Sequence, residues 1–195
     1  MALFRFATDA SPRHRVMGDG VMLRQPVNED FEAWAALRSR SRAFLEPWEP
    51  IWQEDDLTRR AFRQRVKRAQ EEADADEAYA FFIFRAQDQA LVGGVTLGLV
   101  RRGVAQACTM GYWIGEPYAG QGLMTRAVRS VTAHAFTDLR LRRIEAACLP
   151  VNERSRRLLE RVGFQREGYA REYLCINGSW QDHLLYALLA GDQRR

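Results

Sequence analysis

The chain has 195 residues, 47% of them hydrophobic and 28% charged, and a formal net charge of +4. This is the composition of an ordinary globular chain, long enough for one good core and too short for two. No apolar run approaches the roughly 18 residues of a membrane-spanning helix, so no membrane role is expected.

Residues 1–19 are polar and irregular and read as a flexible N-terminal arm, followed by one catalytic domain over 20–195. Val21 to Pro26 reads as a short first strand stopped by its proline. Asn28 then caps a helix to about Leu37, with Glu29 and Asp30 in its first turn. Phe44-Leu45-Glu46-Pro47-Trp48-Glu49-Pro50 cannot be regular helix because of its two prolines. Asp55 and Asp56 open a long charged helix that ends in an acidic linker, 71–77. Tyr79 to Arg85, Leu91 to Val100 and Ala105 to Ile114 are β-branched and aromatic runs, the first two joined by a Gln-Asp-Gln turn, which makes an antiparallel meander. Leu123 to Phe136 has helical spacing of apolar residues, and Arg143 to Leu149 reads as a strand. Asn152 caps a helix that Gly163 ends, and Phe164 to Ile176 pairs through the Asn177-Gly178 turn with Trp180 to Leu189. The order implies a single mixed α/β (α+β) domain without repeats, its mostly antiparallel sheet holding about seven strands.

Cys108, Cys148 and Cys175 are odd in number, far apart and set in apolar, strand-like contexts. They read as buried small hydrophobes in a reducing compartment, without a disulfide. His14, His134 and His183 are scattered, so no metal site is expected. The start, Met-Ala-Leu-Phe-Arg-Phe, lacks the apolar core and cleavage site of a secretory signal, and the expectation is a cytoplasmic protein. Lys67 is the only lysine; every other basic residue is arginine. A basic balance suits acidic partners such as ribosomal surfaces or phosphorylated cofactors, and solvated helix faces account for it equally well. Nothing points to sequence-specific nucleic-acid binding, and oligomeric state is not legible.

The stretch from Gly111 to Ala127 carries the chemistry. An apolar strand runs into a glycine-bearing turn, and a helix starts at once. Such a helix start presents unpaired N–H groups reinforced by the helix dipole, a site for a phosphate or pyrophosphate. Gly120 and Gly122 permit unusual φ angles and close ligand approach. The loop has neither the Lys-Ser/Thr of a Walker loop nor the third glycine of a dinucleotide fingerprint.

This loop, placed between a meander and a helix, resembles that of the GNAT superfamily of acetyl-CoA-dependent N-acetyltransferases. Asn152-Glu153-Arg154-Ser155, followed by Leu158 to Phe164, is similar to the second family signature. The Phe44–Pro50 segment, Gly168 to Leu174 and Gly178 to His183 are similar to motifs of the ribosomal-protein-alanine (RimJ/RimL-like) branch. The resemblance spans about residues 20–190. It implies acetyl-CoA as cofactor, held by the backbone of Ala119, Gly120, Gln121, Gly122, Leu123, Met124 and Thr125, with Asn152 and Ser155 alongside. An amide near a bulge at Trp113 or Ile114 is expected to polarise the thioester, and Ser155 to protonate the leaving thiolate. Two departures stand out. Ala119 and Met124 replace the loop's usual outer residues, and a tyrosine that many relatives use as acid falls at Leu159.

For the base, Glu46, Glu49, Glu116 and Glu145 are all open, Glu49 and Glu116 being placed in the catalytic set. Glu46, Trp48 and Tyr112 are expected to line the acceptor groove. His183 reads as a structural histidine, and Arg126 and Arg129 either meet cofactor phosphates or face solvent. The implied acceptor is the N-terminal α-amine of a protein, an alanine of a ribosomal protein. The alternatives are a small-molecule amine such as an antibiotic or polyamine, and a non-catalytic acyl-CoA-binding module.

Overall fold

A computed structural model describes residues 14–192. Eight strands form one sheet: β1 (Arg15–Gly18), β2 (Val21–Arg24), β3 (Tyr79–Arg85), β4 (Leu91–Arg101), β5 (Ala107–Ile114), β6 (Arg143–Cys148), β7 (Gln165–Ile176) and β8 (Ser179–Leu189). Their spatial order is β1-β2-β3-β4-β5-β6-β8-β7, antiparallel throughout except where β5 meets β6. Five α-helices accompany them: α1 (Phe31–Arg40), α2 (Arg42–Leu45), α3 (Arg59–Asp74), α4 (Leu123–Thr137) and α5 (Glu153–Val162).

The strand beyond the expected seven is β1. Its pairs run from Arg15↔Arg24 to Gly18↔Val21, which leaves Asp19 and Gly20 as a two-residue hairpin loop with Gly20 at φ +66°. The expected arm therefore extends too far: its first thirteen residues lie outside those described, but Arg15–Gly18 is sheet, and Val16 is buried. Four residues are too few to show a period-two pattern, and only the Asp-Gly pair signalled the turn.

Strand β3 explains why both faces of the sheet are covered. Its alternate side chains Tyr79, Phe81 and Ile83 enter one core with Val128 and Val131 of α4 and Leu159 of α5. Phe82 and Phe84 enter a second core with Trp34 and Leu37 of α1 and Phe62 and Val66 of α3. Helix α3 begins later than Asp55, because the Thr58 hydroxyl accepts from the Ala61 N–H and caps it there. The Phe44–Pro50 segment is partly helical: α2 takes in Phe44 and Leu45, and Glu46 to Trp48 form a single 3₁₀ turn around Pro47. Cys108 and Cys148 are buried as expected, but Cys175 is exposed, since β7 is an edge strand and Cys175 is on its open face.

The feature that matters most for function is a split in the sheet. β5 and β6 pair for three positions only, Ala107↔Arg143, Cys108↔Ile144 and Thr109↔Glu145. Beyond Thr109, β5 stays on β4 as far as Gly93↔Ile114, while β6 stays on β8 as far as Cys148↔Leu184. Each strand keeps one partner, and the two halves of the sheet diverge.

Gly93 holds the β4–β5 edge of this split closed, because a Cβ there would stand 2.4 Å from the Trp113 carbonyl oxygen. Gly93→Ala is expected to lower stability by about 2 kcal/mol, or roughly 5 °C in Tm, through forced separation of the two backbones. An unchanged thermal unfolding curve would show that β4 and β5 are not held this tightly.

Candidate functional site

Gly120 and Gly122 both take positive φ, +76° and +74°, and a Cβ on either would meet nothing within 4 Å. The glycines are thus required by backbone conformation, and they leave the space above the loop clear. Gly122 is the N-cap of α4 and supplies no side-chain cap. The Arg126 N–H closes the first turn on the Gly122 carbonyl, so Leu123, Met124 and Thr125 precede the first helical partner. The start of α4 therefore has the uncapped amides and positive dipole end expected from the sequence.

These amides open onto a cleft of about 670 Å³ that occupies the split. Its walls include Tyr112, Trp113 and Ile114 of β5, Ala119, Gly120, Gly122, Leu123, Met124 and Thr125, and Asn152, Ser155 and Leu158 around α5. Of the loop residues, Gln121 alone is turned away, its side-chain amide donating to the Pro117 carbonyl at 2.8 Å. The alternation of β5 also separates Trp113 from Ile114. The Gly115 N–H donates to the Val92 carbonyl. Counting back by twos, Trp113 faces β4 and Ile114 and Tyr112 face the split. Trp113 and Ile114 both line the cleft, and of the two it is Ile114 whose backbone N–H points into the split.

The Asn152 side-chain oxygen accepts from the Ser155 N–H at 3.1 Å and caps α5. Ser155 Oγ lies 2.7 Å from the Tyr112 hydroxyl, a contact between residues 43 apart in sequence. Burial pushes the Tyr112 phenol well above its ordinary range, so it remains an O–H at any working pH. Cys148 lies beside Ser155 and is likewise pushed up by burial. Leu159, where many relatives carry a tyrosine, is fully buried in the core and has no access to the cleft. The hydroxyl pair of Tyr112, from β5, and Ser155, from α5, lines the cleft.

The four glutamates separate cleanly. Glu49 lines the cleft, with Oε1 and Oε2 accepting from Arg38 at 2.7 and 2.6 Å and Oε2 also accepting from Trp52 Nε1 at 2.8 Å. Glu116, expected in the catalytic set, is exposed and does not line the cleft. Gly115 packs its backbone against Leu37 and turns the chain away, and the Glu116 N–H donates to Ser41 Oγ. Glu46 pairs with Arg42 on the exposed side of α2. Glu145 is held by Arg143 and Arg101 outside the cleft; its partial burial raises its pKa, but the two guanidinium groups outweigh this and leave it lowered.

Of the residues expected at the acceptor groove, Trp48, beside Phe44 and Leu45, and Tyr112 line the cleft, and Glu46 does not. Arg126 and Arg129 also lie off the cleft wall, Arg129 reaching the Arg161 carbonyl. Sequence reading missed Arg154, Arg157 and Arg161 of α5, which line the cleft, and their spacing of three and four along one helix face was the available signal. It also set aside His183, which is buried on β8 and lines the cleft. Among the described residues no cluster of His, Cys, Asp and Glu could hold a metal, and no helix is long and apolar enough to cross a membrane.

The profile described as "Acetyltransferase (GNAT) domain" matches residues 21–165. The chain is 39% identical over 178 residues to the probable N-acetyltransferase YjcK of Bacillus subtilis, covering 91% of this chain and 98% of that protein. It is 34% identical over 183 residues to the ribosomal protein uS5-alanine N-acetyltransferase of Escherichia coli, covering 93% of each. Among solved structures, Mycobacterium smegmatis RimJ in complex with CoA-disulfide is similar with a TM-score of 0.86 at 32% identity, covering 93% of this chain and 88% of that one.

Arg38 supports the Glu49 side of the cleft, since it holds Glu49 and lies 4.1 and 4.9 Å from the ring centroids of Trp52 and Trp113. Arg38→Met is expected to cost roughly 3 kcal/mol in denaturant unfolding, because Glu49 loses its charged partner in a half-buried setting. A stability equal to wild type would mean that the clamp is dispensable.

Proposed function

The chain belongs to the GNAT acetyltransferase family, and from that premise we propose that it acetylates the N-terminal α-amine of a protein, an N-terminal alanine of a ribosomal protein, in the cytoplasm. The observation that carries the reading is the split between β5 and β6. It brings the uncapped start of α4, the free edge of β5 and the Tyr112–Ser155 pair into one cleft. The alanine terminus rests on the name of the E. coli relative, and a Vibrio fischeri structure titled ribosomal-protein-S5-alanine acetyltransferase supports it, with a TM-score of 0.85 at 31% identity over 92% of this chain and 98% of that one.

Acetyl-CoA, when bound, supplies the activated acetyl group. The backbone of 119–125 fits its pyrophosphate: the glycines clear the approach, and no side chain caps the helix. Arg154, Arg157 and Arg161 add positive charge to the same cleft. The Ile114 N–H donates to the thioester oxygen as negative charge develops there, in a site already formed before reaction. Ser155 donates its hydroxyl proton toward the departing sulfur, and Tyr112, whose phenol stays protonated, donates in turn to Ser155 Oγ. The acceptor enters at the end formed by Phe44, Leu45, Trp48, Glu49, Leu174 and Ile176, where the apolar groups suit a small first side chain and Glu49 attracts the ammonium. Protonating either Glu49 oxygen would give up a charge-assisted bond to Arg38, so its part is electrostatic.

Labelled acetyl-CoA offered with a panel of N-terminal peptides and small amines tests the reading. Label is expected on peptides beginning with alanine; label confined to small amines would overturn the protein acceptor, and label nowhere would overturn catalysis. Ser155→Ala is expected to lower kcat roughly 100-fold with acetyl-CoA affinity kept, and Tyr112→Phe somewhat less. The double variant should be little worse than Ser155→Ala, because both act through one hydrogen bond. Fully additive losses would separate the two hydroxyls.

A further inference from the structure

The wall of the cleft made by the C-terminal hairpin carries a titratable side chain that the steps above do not use. His183 is 3% exposed and lines the cleft with Leu174 and Ile176 of the same hairpin. Its Nδ1 lies 2.9 Å from the Gln181 carbonyl oxygen. A carbonyl only accepts, so Nδ1 carries the hydrogen, and Nε2 holds the lone pair of the neutral ring. The Tyr173 ring meets the imidazole edge-on at 5.7 Å and limits its rotation. Leu184 stands opposite Cys148 across β6 and β8, and Cys148 is beside Ser155. His183 is therefore one residue along β8 from the level of the Tyr112–Ser155 pair.

We propose that His183 is the general base that takes the proton of the acceptor ammonium onto Nε2, directly or through one water. The inference rests on reading the cleft as the site of acetyl transfer. None of the four glutamates fills the role: Glu46, Glu116 and Glu145 lie off the cleft, and Glu49 is committed to Arg38 and Trp52. The N–H bond of the ammonium breaks with its electron pair left on nitrogen and the proton on Nε2. The free amine forms the C–N bond as the C–S bond breaks, and Ser155 delivers a proton to the sulfur. The second surplus proton of the nitrogen replaces the one Ser155 gave, and the imidazolium returns its own to water. The charged and titratable groups around His183 are Asp182 beside it on β8, Tyr173 on β7, Cys148 on β6, Tyr112 on β5, Glu49 with Arg38, and Arg154, Arg157 and Arg161 of α5. Asp182 is committed elsewhere, accepting from the Tyr169 hydroxyl and the Glu172 N–H.

The test follows steady-state acetylation by the full chain and by His183→Gln and His183→Ala from about pH 6 to pH 9.5, a range that brackets the ordinary pKa values of an imidazole and an α-amine. The acceptor is whichever of an alanine-terminated peptide or spermidine the wild type turns over. A peptide that is no substrate thus counts against the acceptor reading and leaves this test intact. The expected result is a kcat/KM lower by roughly 100-fold near neutrality, with the deficit shrinking above about pH 8.5, where the amine deprotonates unaided. Added imidazole should restore part of the His183→Ala activity, and acetyl-CoA affinity should stay within about twofold of wild type on the same reasoning. Variants within about twofold of wild type at every pH, or a loss constant with pH that imidazole does not rescue, would overturn the proposal.

Discussion

Everything functional in this molecule depends on a hydrogen-bond ladder that stops early. Parallel strands pair with evenly spaced bonds and tend to continue, yet β5 and β6 share three positions and then separate. Backbone groups left in an opened sheet need partners. Here each strand satisfies its other edge, on β4 and on β8, and the inner edges look into the cleft. Those edges are where a ligand finds backbone donors at fixed positions. The same divergence sets the start of α4 against one side of the cleft and α5 against the other.

The two sides are built differently. The wall at the start of α4 is main chain: glycines at positive φ and an uncapped helix end. In the proposed function Ala119 and Met124 are tolerated at the loop's outer positions, since the amides do not depend on which side chains flank them. On the wall formed by the 44–50 segment the side chains matter. Arg38, close to the rings of Trp52 and Trp113, ties down Glu49, the Asn177 N–H donates to the Glu49 carbonyl at 2.8 Å, and the 44–50 segment is thereby fixed to the C-terminal hairpin. A wall made of two separate segments joined by few bonds can vary without disturbing the start of α4.

Local signals carried much of this into the sequence. The strand–glycine turn–helix at Gly120 and the Asn152 cap with Gly163 at the far end are set by near neighbours, and the structure has them where the residues put them. What depends on pairing register was hidden. Whether Trp113 or Ile114 turns its amide to the cleft follows from the Gly115–Val92 bond, and that Glu116 faces away follows from where Gly115 meets Leu37. The Tyr112–Ser155 contact joins residues from opposite sides of the split, so no spacing rule could show it. His183 reads in the sequence as structural, and it is buried with Nδ1 on the Gln181 carbonyl. What the sequence hides is that the hairpin β7–β8 places it at the end of β6, where that strand stops and the cleft begins.

The central claim is that the opened edge of β5 and the start of α4 together hold the thioester cofactor. Amide chemical shifts followed by NMR during titration with CoA, and separately with its pantetheine fragment, test it most directly. CoA is expected to move the amides of Gly120, Gly122, Leu123, Met124 and Thr125 along with Ile114, whereas pantetheine should move Ile114 and leave the α4 start in place. Large shifts confined to residues outside the β5–β6 cleft, or a α4 start that responds equally to both compounds, would contradict the account.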